Sequence, residues 1–156
     1  MEKELAKNVI TLLGQKNLTI SVAESLTGGL VAKNLTDISG SSKVFKGGIV
    51  AYTDEIKTKT LKVDPALIQE FSSISKQVAQ DMALKVRLLM NSDIGVSTTG
   101  VAGPEKSAGF EPGTVFVAIS IGEHNMCQDL HLTGDRNQIR QQSVIELLKL
   151  ILSQGL

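Results

Sequence analysis

The chain has 156 residues, with sixteen Lys plus Arg against sixteen Asp plus Glu, two histidines and one cysteine. That length fits one domain with its own core, and the balanced charge exerts no global pull toward nucleic acid or an anionic membrane. A lone cysteine, Cys127, excludes an internal disulfide and any multi-cysteine zinc site, and with only His124 and His131 present, acid-base work must rest on Lys, Tyr or carboxylates.

Leu5, Val9, Leu12 and Leu13 recur at helical spacing among Lys and Glu, and Gly14 with Asn17 marks the stop. Residues 19–23 are a β-branched run that reads as a buried strand ending at Glu24. Leu30, Val31, Asn34, Leu35 and Ile38 predict a helix stopped by residues 39–42. Val44, Phe45 and then Gly47 to Tyr52 read as a second strand, loosened by glycine. Thr53 or Asp54 is placed to cap a short helix through Ile56 and Leu61, and Asp64-Pro65 restarts helical structure with Pro at its first position. Residues 71–74 are irregular. Ser75 caps a longer helix whose buried stripe is Val78, Met82, Val86 and Leu89 and which ends near Asn91. Residues 94–97 form a third strand, followed by a Gly-, Pro- and Ser-rich loop to Gly113 whose length signals function. Residues 114–121 and 126–132 make a hairpin across 122–125. Thr133-Gly134-Asp135 caps a closing helix from Arg136, with Ile139, Leu147, Leu148 and Ile151 as its apolar face.

Helices alternate with the first three strands and a hairpin comes last, which predicts a single α/β domain over residues 1–156. Its layers form an α/β/α sandwich around a mainly parallel, mixed sheet with an antiparallel edge. Parallel strands end on one rim, so the loops after Ala23, Tyr52 and Ser97 converge there. The charged start and the lack of a membrane-length apolar run point to a cytoplasmic protein with no membrane partner.

The residues offered to that rim are Glu24, Ser25, Thr27, Tyr52, Asp54, Lys57 and Thr99, with Ser41 and Ser42 coming from the loop before the second strand. Gly28 and Gly29 expose backbone N–H groups at a helix start, which favours an anion. A serine nucleophile needs a base, and a lysine serves when burial depresses its pKa, which makes Lys57 the candidate base. It stands about one helical turn beyond Tyr52, so both reach the same loop. Each residue also has a plainer use: Ser25 and Thr27 as caps, Ser41 and Ser42 as turn residues, Lys57 as a solvated lysine, Tyr52 as packing. Arg136 and Arg140 lie one turn apart at the start of the last helix, where cations oppose the dipole unless an anion is near.

In order along the chain, AESLTGG (23–29), DISGSS (37–42), GGIVAY (47–52) with Glu55 and Lys57, TGVAGP (99–104), Gly113-Thr114-Val115, and Gly134-Asp135-Arg136 with Arg140 resemble the CinA C-terminal domain family. Free-standing members of that family are nicotinamide mononucleotide deamidases. The resemblance implies hydrolysis of the carboxamide of that nucleotide to the acid with release of ammonia, in pyridine-nucleotide salvage, with no metal or cofactor. On it, Ser42 is assigned as nucleophile, Lys57 as base and Tyr52 as assistant, with Ser41 and Ser25 remaining as alternative nucleophiles. Glu24, Ser25, Thr27, Gly28, Gly29, Ser41, Thr99 and Gly100 make up the substrate wall, and Arg140, with Arg136, pairs with the 5′-phosphate.

Leu26 stands where relatives commonly have Cys, Lys76 where an acid is usual, and residues 105–112 replace a glycine-rich stretch and a Lys-Pro-Val. That loop is the main support for a rival reading, a non-catalytic nucleotide-binding or regulatory module. A third reading is a magnesium phosphohydrolase built on Glu24 and Asp54. The expected partners are a small nucleotide and a second copy of the chain, as a homodimer or higher homo-oligomer.

Overall fold

The computed structural model describes residues 1–156. Helix α1 (Glu2–Lys16) ends on Asn17 in the left-handed conformation, whose N–H returns to the carbonyls of Gly14 and Leu13. Strand β1 (Ile20–Glu24) is buried along its whole length, as a central strand must be. Helix α2 (Leu30–Thr36) and a 3-10 turn at Ser41–Lys43 lead into β2 (Phe45–Val50). Helices α3 (Asp54–Lys59), α4 (Pro65–Phe71) and α5 (Lys76–Met90) follow, then β3 (Ile94–Gly100), β4 (Thr114–Ile121), β5 (His124–His131) and α6 (Arg136–Leu152).

The sheet order is β2-β1-β3-β4-β5. β1 pairs in parallel with both β2 and β3, whereas β4 and β5 add as antiparallel strands, giving the expected mixed sheet with its antiparallel edge. One face carries α1, α2 and α6 over the larger core, in which Leu13, Ile20, Leu35, Val96 and Leu147 meet. The other carries α5 over a smaller core of Ala23, Val78, Met82 and Val86. There α5 presents Ala79 and Ala83 to the sheet, and a Cβ on Gly95 would lie 2.0 Å from the Ala83 carbonyl oxygen, so the helix sits directly against bare backbone.

Local chemistry explains most boundaries. Asp64 accepts the Ala66 N–H with Pro65 at the first helical position, Ser75 accepts the Val78 N–H, and Asp135 forms a reciprocal capping box with Gln138. Three expectations need correction. Leu89 is 47% exposed, because the buried row of α5 steps in fours through Val78, Met82 and Val86 toward Met90. β3 runs on to Gly100, since β4 continues to pair with Thr98, Thr99 and Gly100. β5 begins at His124 and not at Met126: Ile121 pairs with His124 across a two-residue turn, and an exposed edge strand accepts polar residues.

β1 connects to β2 through α2 on one face, and β2 connects to β3 through α5 on the other. The chain therefore reverses its winding between β1 and β3. In open α/β sheets the crevice at such a reversal, beyond the carboxyl ends of the strands, is where ligands bind. No helix is long and apolar enough to cross a membrane.

Candidate active site

A cavity of about 590 Å³ opens at this rim, within the size range of small-molecule sites. Its walls come from the turn after β1 (Ser25, Leu26), the β2–α3 connection (Tyr52), the first turn of α3 (Asp54, Lys57), Ser73 and Ile74 before α5, the end of β3, and the following loop. Arg136 at the start of α6 closes one side.

The chemical centre is a pair. Lys57 Nζ lies 2.9 Å from Ser25 Oγ, and the two residues are only 3% and 8% exposed. Thr53 caps α3 by accepting the Ile56 N–H, and Lys57 follows in the first turn with its own N–H on the Thr53 carbonyl. This geometry turns a helix lysine inward instead of toward solvent. Burial pushes the Lys57 amine below its ordinary 10.5, with the Asp54 carboxylate partly opposing the shift. A buried lysine with a lowered pKa, in contact with a serine hydroxyl at a cavity wall, is the arrangement of an activated nucleophile and its base.

Ser41 and Ser42 are not brought to Lys57, which corrects the assignment of Ser42 as its nucleophile. They form the 3-10 turn before β2, whose first residue Phe45 pairs with Ile20 at the start of β1. They sit at the opposite rim, about 20 Å away at the rise of an extended strand. The assignment rested on the resemblance of the motifs; the direction of β2 decides against it.

Glu24 is also removed from the substrate wall. At 1% exposure, its carboxylate accepts the Thr27 hydroxyl at 2.6 Å and the amides of Val31 and Ala32 at 2.8 and 3.1 Å. The anion expected at this helix start is thus the protein's own carboxylate. Thr27 is fully buried, with Thr98 donating to its hydroxyl at 2.7 Å, and it does not line the cavity. Gly28 and Gly29, at φ 58° and 104°, make the left-handed bend that returns the chain into α2, and they too stand outside the cavity. Arg140 is spent on protein: its Nε donates to the Leu26 carbonyl and its Nη2 to the Thr27 carbonyl, each at 3.0 Å.

The remaining candidates do gather. Thr99 and Gly100 line the cavity, with the Thr99 hydroxyl donating to the Ser73 carbonyl at 2.7 Å. Arg136 donates from Nη1 to the Gly103 carbonyl at 2.6 Å and from Nη2 to the Tyr52 phenol oxygen at 3.0 Å. Tyr52 is 55% exposed at the mouth. Sequence reasoning passed over Ser73 and Ile74, whose position before the Ser75 cap was the available signal. It flagged the unusual loop, and Glu105, Ser107 and Ala108 from it do form part of the wall. No group of three or more His, Cys, Asp or Glu is gathered as a metal centre, and Glu24 and Asp54 do not share a site. The Cys127 thiol, pushed up to about 11 by burial, is not poised as a nucleophile.

The family model of the CinA C-terminal domain matches residues 2–154. The chain belongs to the CinA C-terminal domain family. A CinA-like protein of Dictyoglomus turgidum is 43% identical over 151 residues, 96% of this chain and 37% of that protein. This chain spans little more than a third of the length of such curated relatives. Among solved structures, the competence/damage inducible protein CihA of Agrobacterium tumefaciens superposes with a TM-score of 0.95 at 32% identity, covering 99% of this chain and 96% of that one. A CinA superfamily protein of Escherichia coli gives a TM-score of 0.95 at 30% identity, covering 100% and 91%. The CinA-family fold is therefore present end to end.

Proposed function

We propose that this CinA-family domain is a metal-independent amidohydrolase that deamidates nicotinamide mononucleotide, with Ser25 as nucleophile and Lys57 as its base. The observation that carries the reading is the 2.9 Å contact between the two buried groups at the cavity wall. The substrate comes from the resemblance of the ordered motifs to the free-standing deamidases of the family.

With its amine neutral, Lys57 accepts the Ser25 hydroxyl proton as Oγ bonds to the carboxamide carbon. The carbonyl π pair moves to oxygen and gives a tetrahedral oxyanion. Its collapse breaks the C–N bond while Lys57 returns the proton to nitrogen, releasing ammonia and leaving an acyl ester on Ser25. Water then adds to the ester carbon, its proton passing to Lys57, and collapse breaks the C–Oγ bond with that proton restored to Oγ. Burial of Lys57 favours its neutral form and so makes it competent for the first step. Arg136, and not Arg140, carries the cationic charge in the cavity, and so takes the 5′-phosphate role there. Tyr52, holding a hydrogen bond from Arg136, presents its phenol at the mouth.

Ammonia release from nicotinamide mononucleotide tests this directly. Ser25→Ala, folded by circular dichroism, is expected to lose turnover, while Ser42→Ala keeps the wild-type rate and chelator has no effect. Turnover surviving in Ser25→Ala and lost in Ser42→Ala would overturn the assignment. Tight nucleotide binding without turnover by the wild-type chain would favour the regulatory module.

A further inference from the structure

The turn after β1 holds a backbone donor with no partner in the protein. Ser25 donates its N–H to the Thr98 carbonyl at 3.0 Å, and its own carbonyl accepts the Gly28 N–H at 3.1 Å. The Leu26 carbonyl is held by Arg140 Nε, and the Thr27 carbonyl by both Arg140 Nη2 and the Leu30 N–H. Every carbonyl from Ser25 to Thr27 therefore has a donor. The N–H of Leu26 has no acceptor within the protein, although Leu26 is only 5% exposed. Buried backbone donors are almost always paired, so an unpaired one at a cavity wall points to an acceptor supplied by a ligand. The Thr27 N–H is unpaired too, but Thr27 is fully buried and absent from the cavity lining, whereas Leu26 is part of it.

We propose that the Leu26 N–H is the oxyanion donor of this site, and that Arg140 is a positioning residue that holds it there and not a ligand of the substrate's phosphate. This rests on the reading of Ser25 as nucleophile. The amide directly after a nucleophilic serine is well placed to receive the developing charge, because the oxygen that becomes negative is bonded to the same carbon as Oγ, one residue away. As Oγ bonds to that carbon, the carbonyl π pair moves onto the oxygen facing Leu26, and the serine proton goes to Lys57. Arg140 reaches the turn from α6 with two arms of one planar guanidinium, a geometry that a single ammonium does not reproduce. Its two bonds fix the Leu26–Thr27 and Thr27–Gly28 peptide planes, and the Gly28 N–H in turn holds the Ser25 carbonyl, which shares its peptide plane with the Leu26 N–H, so the clamp reaches the donor through the turn.

The test has two arms. Replacing Leu26 by its α-hydroxy acid analogue exchanges the N–H for an ester oxygen and keeps the side chain. Its kcat is expected to fall about 10²- to 10³-fold with KM unchanged. Arg140→Ala is expected to lower kcat about 10²-fold, with Arg140→Lys intermediate. Nucleotide affinity, measured by calorimetry in a Ser25→Ala background, stays at the wild-type level in both Arg140 variants. A wild-type kcat in the ester protein overturns the donor assignment. Weakened nucleotide binding with kcat retained in Arg140→Ala makes that residue a phosphate ligand and overturns its positioning role. If the ester protein fails to fold, Leu26→Pro, which also removes the N–H, takes its place with the same expected loss of kcat, and the Arg140 arm decides the positioning role. Labelling of Ser25 by a fluorophosphonate, read by mass spectrometry, keeps the two levels apart. No adduct together with active Ser25→Ala refutes the nucleophile itself; an adduct with an unaffected ester protein refutes only the oxyanion donor.

Discussion

Replacing Lys57 by Met should abolish turnover and stabilise the fold at neutral pH, a combination that distinguishes a catalytic buried lysine from a structural one. Methionine keeps the length and apolar body of the stem and removes the amine. The wild-type lysine is 3% exposed and its pKa lies below 10.5 because burial penalises the charged form. In the unfolded chain it binds a proton up to 10.5, so between the folded pKa and 10.5 the unfolded state holds more protons than the native one. Wild-type stability from this group therefore rises with pH in that window, by up to about 1.4 kcal/mol per pH unit. Below the folded pKa the penalty is present in full, and it is relieved as pH approaches 10.5. The lost contact with Ser25 offsets part of the gain, at about 1 kcal/mol. Urea denaturation of both proteins at a series of pH values from about 6 to about 10.5 measures the difference, in which the other titrating groups cancel. The variant's advantage should be constant below the folded pKa and shrink as pH rises from there toward 10.5. Ammonia release should fall about 10²- to 10⁴-fold, as expected on loss of a general base. A stability difference that does not change with pH would refute the depressed pKa, and normal turnover would refute the base.

Two further outcomes follow from the contacts around the cavity. Glu24→Ala leaves the Thr27 hydroxyl and the amides of Val31 and Ala32 without their buried acceptor, and should cost about 3 kcal/mol or more by denaturant titration. Arg136→Gln removes the cation on the cavity wall and should raise KM for nicotinamide mononucleotide about 10- to 100-fold, the worth of one charge-assisted hydrogen bond, with kcat little changed in steady-state ammonia assays.

Much of the fold was legible because its signals are local. The Asp64-Pro65 start, the Ser75 cap and the Thr133-Gly134-Asp135 lead into α6 each act within one turn of helix, so neighbouring residues suffice to read them. The rim was legible as well, since alternating strands and helices force parallel strands to end together, and Tyr52, Lys57, Thr99 and Arg136 do line one cavity there. Leu89 failed because a row stepping in threes or fours looks alike over two turns, and only the packed sheet chooses between them.

The sequence by itself determined the layer order, the family and the supply of hydroxyls with one candidate lysine base, because these depend on periodicity, caps and ordered motifs. Which serine meets that lysine was decided by tertiary structure alone. Ser25 lies 32 residues from Lys57 and reaches it because β1 and β2 end side by side, while Ser42, closer along the chain, is carried to the far rim by the direction of β2. The same holds for Arg140, whose partners are 113 and 114 residues away. A phosphate-seeking arginine and one that clamps a turn have the same spelling, and only the packing of α6 against the turn after β1 tells them apart.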